Sequence, residues 1–395
     1  MDFSRLKDYM DKMVTEYKVP GVDCVVYKEH DMLFRYYTGM KDKENNLPMQ
    51  GDELYLIFSM TKMLTVACAL QLLEQGKYLL TDPLATYMPE FENMLVTSDI
   101  LNTENAAKIT TGVSMGEDIN VTADYYAENP ITIHQLFTMS AGFDYNLEAD
   151  YIKKAISEGK TTTLEIVRAL SNTVLGFEPG TRYRYSLCHD ILGGLIEIWS
   201  GKTLGEYMKQ NIFEPLGMKD TFFGVPKSED GLSRMMARYS ADNDGNIVRQ
   251  PLECRFNFTE EYESGGAGLT SSAVDYSVFL DALANGGVGK NGNRILSEAS
   301  VKMMGMNQLS GQAYDDFDEL RPGYGYGLGV RTHMDKARSG SLSPIGEFGW
   351  DGAAGGFSMV DPENKLSLTY LQHSHKWFLR CQSEMRNILY SCLGL

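Results

Sequence analysis

The sequence predicts an α+β fold in which one sheet carries helices on its faces and a mostly helical lobe is inserted into the chain. Three observations predict it. β-rich runs cluster near the two ends, helical spacing dominates the middle, and no internal repeat or low-complexity linker divides the chain. The simplest packing joins residues 1–90 and 250–395 in one discontinuous sheet domain. Residues 91–249 then form the inserted lobe, and the active site belongs in the cleft between them.

Residues 3–17 read as a first helix. Residues 22–27 and 33–37 are rich in β-branched and aromatic side chains, and Lys28-Glu29-His30-Asp31 reads as a hairpin turn between them. The next helix opens at Ser59 and stops near Gly76. Met63, Val66, Ala67, Leu70 and Leu73 give it one apolar face. From Glu90 to Pro130 the pattern dissolves into polar loop. Helices follow from Ile131 to the Ser140-Ala141-Gly142 stop, within residues 147–169, from Cys188 to Ser200, from Leu204 to Ile212, and from Ser272 to Ala284. Residues 323–330 alternate glycine with larger side chains and read as a flat strand. Two strands, residues 357–360 and 366–371, flank the turn Asp361-Pro362-Glu363-Asn364. A last helix runs from about Trp377 to Cys392.

Composition excludes several classes. A net charge of −17 argues against nucleic-acid and anionic-membrane partners, which select a basic face, and disfavours strongly anionic substrates. The 43% apolar and 23% charged fractions are those of a globular protein with a large core. The first residues lack the apolar core of a signal peptide, and no apolar run approaches membrane-spanning length. Cys24, Cys68, Cys188, Cys254, Cys381 and Cys392 have no paired spacing and read as small apolar residues in a reducing compartment. The expectation is a cytoplasmic protein. His373 and His375 lack nearby carboxylate partners and are expected on the surface or an edge strand.

The stretch Ser59-Met60-Thr61-Lys62 presents a hydroxyl and an amine on one helical face, about 5–6 Å apart at Cβ. Unpaired N–H groups at a helix start can meet a developing negative charge. The same spacing recurs at Ser4-Arg5-Leu6-Lys7 and Ser157-Glu158-Gly159-Lys160, both of which read as solvated surface. Taken alone, Ser59 reads as a helix cap. Two later motifs reverse that reading: Tyr185-Ser186-Leu187 just before a helix, and Trp350-Asp351-Gly352 ahead of Ala353-Ala354-Gly355-Gly356.

In this order the three motifs resemble the serine beta-lactamase and penicillin-binding protein superfamily. The resemblance is to its class C-like branch, which includes carboxylesterases and D-amino-acid peptidases. Glu178-Pro179-Gly180-Thr181 and Pro215-Leu216-Gly217-Met218 add to a resemblance that covers nearly the whole chain. It implies a beta-lactamase/transpeptidase-like fold with a central antiparallel sheet. It implies Ser59 as nucleophile, Lys62 as assisting base or proton relay, and Tyr185 as general base and later acid. The backbone N–H groups of Ser59 and Ala353 would form the oxyanion hole, with no metal and no cofactor.

At their reference pKa values, about 10.4 and 10, neither Lys62 nor Tyr185 is a base at neutral pH. The expectation is that burial lowers the amine and that the neighbouring cation lowers the phenol. His189 and Asp190 read as helix-start residues, the acid suited to the helix dipole. Arg182 and Arg184 read as surface or strand-pair charges, and Arg338-Ser339-Gly340 as loop.

Two departures from the pattern bear on substrate. Trp350 stands where lactamase and transpeptidase members carry a cation, with the acid Asp351 beside it. Leu187 stands where they carry an asparagine. Trp350, Asp351, Gly352 and Leu187 are therefore expected to line a site for neutral, apolar acyl groups. The expected function is a serine hydrolase that cleaves small neutral esters through an acyl-serine intermediate, its partner a small-molecule ester or amide. Three alternatives stay open: acyl transfer to an alcohol by the same residues, a beta-lactamase or D-amino-acid peptidase, and a catalytically silent ligand binder. Intact Ser59, Lys62 and Tyr185 argue against the last.

Overall fold

Order along the chain follows local sequence signals closely. The structure is a computed structural model that describes residues 1–97, 124–242, 246–374 and 378–395. Much of the polar stretch expected between residues 90 and 130, and His375, lie outside the described residues. Helix α1 (Ser4–Thr15) precedes the hairpin of β1 (Gly21–Lys28) and β2 (Asp31–Asp42). Glu29 and His30 turn that hairpin at positive φ, 52° and 71°. This is the two-residue geometry that matches the twist of antiparallel strands. Strands β3 (Leu47–Pro48) and β4 (Leu54–Leu56) lead to α2 (Thr61–Glu74). Between Tyr125 and Phe223 helices alternate with loops, and the strands, such as Val174–Leu175, are only two residues long. Capping boxes start the helices Ile133–Phe137, Thr163–Ala169 and Leu204–Met208, where Thr132, Thr162 and Thr203 each bond to a Gln or Glu three residues on. The longest helix there is α3 (Cys188–Ser200), ended by Gly201 at φ 70°.

The later chain adds β5 (Phe222–Phe223), β6 (Leu269–Ser272), α4 (Ala273–Ala284) and α5 (Gly311–Leu320). It then runs through β7 (Tyr324–Tyr326), β8 (Arg331–His333), β9 (Phe348–Gly349), β10 (Phe357–Asp361), β11 (Leu366–Gln372) and α6 (Phe378–Leu393). The large antiparallel sheet has the order β7-β8-β9-β10-β11-β1-β2-β3. β1 is its seam, with Val25 opposite Thr369 of β11 on one side and Arg35 of β2 on the other. Side chains alternate across that seam. Val22, Cys24 and Val26 pack with Leu6 and Met10 of α1 and Met385 and Leu389 of α6. Val25 and Tyr27 face the opposite way, into the core shared with α2 and α4. A second, three-stranded sheet, β4-β6-β5, carries the chain into the serine turn.

Several expectations are corrected. Helix α2 does not have a single apolar face: every residue from Thr61 to Leu70 is buried, because the helix runs between α3, β6 and the core of the large sheet. The glycine-alternating stretch is a tight hairpin, not a flat strand. The Gly327 N–H donates to the Val330 carbonyl at 2.7 Å, and Gly329 takes φ 71°, which breaks an extended path. His373 is buried. Its Nδ1 lies 2.8 Å from the Met236 carbonyl, and desolvation brings its pKa down to about 4. Residues Lys336–Ser339 form a short helix capped by Asp335. Arg184 is buried, and Arg182 grips Asp316 with two bonds of 2.7 Å. All six cysteines are free thiols, four of them buried. Among the described residues no helix is long and apolar enough to cross a membrane.

The serine turn is clamped from two sides. The Ile57 N–H donates to the Leu269 carbonyl at 3.0 Å, and the Leu269 N–H donates to Thr61 Oγ1 at 3.1 Å, which locks the turn to β6. From α4, the buried Tyr276 hydroxyl donates to the Met60 carbonyl at 2.9 Å. That carbonyl caps α2 and also accepts within the helix, so the phenol adds a second bond to it. Tyr276→Phe is therefore expected to cost about 0.5–1.5 kcal/mol, read as a lower urea midpoint at unchanged slope. An unchanged midpoint would show that the clamp carries no stability.

Candidate active site

Ser59 sits in the 3₁₀ turn Phe58–Met60, one step ahead of α2. Phe58 is forced to φ 46°, a left-handed conformation that costs a non-glycine residue on the order of 1–3 kcal/mol. The turn leaves Ser59 half-buried. One turn later Lys62 is wholly buried. Its ammonium donates to the Gly266 carbonyl at 2.7 Å and to the Tyr145 hydroxyl at 3.3 Å, and it lies 3.4 Å from Ser59 Oγ. It also lies over the Tyr185 ring, 4.6 Å from the centroid.

Burial brings the Lys62 amine down to about 7, against the opposing pull of Asp190. Asp190 is thus more than a residue suited to the helix dipole. It is buried at the start of α3, and its Oδ1 accepts from Tyr262 at 2.9 Å and from Ser264 at 2.6 Å. A Cβ added to Gly266 would stand 2.5 Å from Asp190 Oδ2 and 3.2 Å from Lys62 Nζ. The acid and the amine therefore converge on a spot that only glycine leaves open. Desolvation holds Asp190 above the usual carboxylate range, with Lys62 drawing it back.

Two phenols flank the serine. Tyr145 and Tyr185 stack with centroids 5.3 Å apart, and the neighbouring Ser59 hydroxyl draws both phenols down. Trp350 stacks on the far side of Tyr185 and donates from Nε1 to its hydroxyl at 3.2 Å. Burial nevertheless pushes the Tyr185 phenol up, with Ser59 and Trp350 drawing it back. The expectation of a lowered phenol is overturned because desolvation outweighs its neighbours.

The third motif comes close to the serine through its backbone. A Cβ on Gly352 would lie 2.5 Å from the Ile57 carbonyl, so the turn after β9 passes directly against the serine turn. The Gly352 N–H closes that turn on the Gly356 carbonyl at 2.8 Å, and Ala353 is exposed at its tip. Asp351 does not present a bare charge to the cleft: it pairs with Arg321 at 2.6 Å and faces Arg331 at 4.0 Å. Leu187 is buried at the start of α3, its N–H on the Asp144 carbonyl at 3.0 Å. His189 is also buried, with Nε2 3.3 Å from the Phe137 carbonyl and a pKa brought down to about 3. Ser59, Lys62, Tyr185 and Trp350 thus share one centre, while Asp351 and Leu187 support its walls. Tyr145, Gly266 and Arg321 belong to the surroundings without having been legible in the sequence. Each lies in a loop or at a helix end, where no periodicity marks a side chain's direction.

This is the beta-lactamase fold. The beta-lactamase family matches residues 6–387, and the chain belongs to it. Esterase EstB from Burkholderia gladioli is 26% identical over 94% of this chain and 90% of its own length. Protein Rv1367c from Mycobacterium tuberculosis is 28% identical over 89% of this chain and 86% of its own. Among solved structures, EstCE1, described as a hydrolase with promiscuous acyltransferase activity, superposes with a TM-score of 0.79 at 22% identity, covering 98% of both chains.

A buried amine near 7 has a readable consequence. A neutral amine can accept a proton from a neighbouring hydroxyl, and an ammonium cannot. Labelling of Ser59 by a fluorophosphonate probe is expected to speed up as pH rises through about 7. Asp190→Asn removes a charge that raises the Lys62 pKa, so the midpoint should move to lower pH. A flat profile between about pH 6 and 8 would remove Lys62 as the titrating base.

Proposed function

We propose that the protein hydrolyses small neutral carboxylic esters through an acyl-enzyme on Ser59. The observation that carries the reading is the Lys62 amine, brought to about 7 by burial and held 3.4 Å from Ser59 Oγ. In this scheme Ser59 Oγ attacks the carbonyl carbon while its proton passes to Lys62. Backbone N–H groups of Ser59 and Ala353 receive the oxyanion. The tetrahedral intermediate collapses, the C–O bond to the alcohol breaks, and the departing oxygen takes the proton back by way of the Tyr185 hydroxyl. Water then repeats the attack with the same relay, which frees the acid and restores Ser59. The raised phenol supports Lys62 as the base and Tyr185 as the relay, a reversal of the emphasis that the resemblance implies.

Charge supports the neutral substrate. Trp350 brings an aromatic face to the centre, and the guanidinium over its ring, Arg321 at 5.4 Å, is paired with Asp351. A substrate carboxylate approaching Trp350 would meet an Arg321 already committed to Asp351. Transfer of the acyl group to an alcohol in place of water would use the same residues.

Stopped-flow hydrolysis of p-nitrophenyl acetate and butyrate, beside nitrocefin, tests the reading. Ester turnover should exceed nitrocefin cleavage. Ser59→Ala should abolish it, and Lys62→Ala and Tyr185→Phe should each lower kcat by about 10³-fold or more, because the three act as one unit. Preferential nitrocefin cleavage would overturn the substrate class, and near-normal rates in Tyr185→Phe would overturn its role.

A further inference from the structure

Away from the serine, a cavity of about 270 Å³ lies between the end of α5, the β7–β8 hairpin, the helix Lys336–Ser339 and α6. Its walls include Arg321, Arg331, Arg338, Arg386, Gln382 and Ser383. Four guanidinium groups meet here in a chain whose net charge is −17. Three carboxylates oppose them. Arg321 pairs with Asp351 at 2.6 Å, Arg331 with Glu347 at 2.9 Å, and Arg338 with Asp318. Arg386 has only a shared approach to Glu347, at 3.5 Å. The cluster therefore carries one cation more than its acids can balance.

Hydrogen bonding shows the same surplus. Arg331 and Arg386 are buried, 1% and 2% exposed, as is Gln382 at 2%. Among the described residues, five donors in the cluster have no hydrogen-bond partner, Arg331 Nε and Nη1, Arg386 Nε and Nη2 and Gln382 Nε2, against two unbonded acceptors, Asp351 Oδ1 and Oδ2. A buried donor left unpaired is destabilising, more so when it is charged. The guanidinium planes are also held in place: Arg386 lies over the rings of Tyr324 and Phe357 at 5.9 and 5.4 Å, and Arg331 over Tyr324 at 6.0 Å. A purely structural charge network satisfies its own donors. This one is short of acceptors on the wall of an open cavity.

We infer that this cavity binds a small oxyanion, and specifically a phosphate group. Fixed guanidinium forks match a tetrahedral oxyanion through paired N–H···O bonds, and its negative charge answers the surplus cation. The cavity has room for a phosphate ion or for the phosphate end of a small phosphomonoester. It is distinct from the serine centre, although Arg321 touches both: it lines the cavity and lies over Trp350.

Isothermal titration of the full chain with inorganic phosphate and with phenyl phosphate, at ionic strength held constant with sodium chloride, tests the inference. Saturable one-to-one binding of either is expected. Inorganic phosphate binding at least as tightly assigns the free ion, and tighter phenyl phosphate assigns a phosphorylated molecule. Arg338→Gln, at a half-exposed position, and Gln382→Leu should each weaken binding by about tenfold, the loss of one charge-assisted or buried bond. Fluorophosphonate labelling of Ser59 in both variants confirms that they are folded. The inference is overturned by the absence of saturable binding in folded protein, by affinities unchanged in both variants, or by benzoate binding as tightly as phenyl phosphate.

Discussion

The burial of one amine organises this protein. Lys62 lies on a helix with no exposed side along its first ten residues, where a charged ammonium is poorly solvated. Bringing its pKa from 10.5 to about 7 corresponds to about 5 kcal/mol against the charged form. That is the net after the carboxylate of Asp190 has offset part of the desolvation, and the amine also bonds the Gly266 carbonyl and the phenol of Tyr145. Each comes from a different region of the chain, so the site forms only when α2, α3 and the approach to β6 are packed together. The resulting amine can exchange a proton with a neighbouring hydroxyl near neutral pH, which an exposed lysine cannot do.

Rigidity around the amine follows from backbone placement more than from side-chain bulk. Gly266 lets Asp190 approach Lys62, and Gly352 lets the third motif lie against Ile57. The left-handed Phe58 then projects Ser59 out of a turn held by Leu269 and Tyr276. Behind this centre, Trp350 joins the phenols to a layer of arginines and acids that runs to the far edge of the large sheet. Asp351, which sequence proximity alone would aim at the substrate, is turned into that layer by Arg321 and Arg331.

Much of the fold was legible in local patterns. The hairpin at residues 28–31, the helix after Tyr185-Ser186-Leu187, the helix beginning after Ser272 and the two strands around Asp361-Pro362 are specified by turn chemistry, caps and alternation, all properties of neighbouring residues. Failures came where the third dimension overrides the local signal. The apolar stripe on α2 was real but incomplete, because polar Thr61 and Thr65 are buried too, each bonded to the β6 side of the cleft. Alternating glycines looked extended until Gly329 reversed the path. His373 looked superficial because nothing in its neighbours announces the Met236 carbonyl that receives it.

The sequence by itself determined the order of elements and the three motifs, and so the family and the identity of Ser59, Lys62 and Tyr185 as candidates. These are decided by residue type and spacing, which survive without knowledge of any distant contact. Only the tertiary structure decided how the groups behave. It made Lys62 rather than Tyr185 the group with a pKa near neutrality, because desolvation depends on what surrounds an atom from every side. It placed Asp190 opposite the amine, neutralised Asp351, and gathered Arg321, Arg331, Arg338 and Arg386 around one cavity. Those four arginines span 65 positions of sequence between Arg321 and Arg386, and packing alone brings them together.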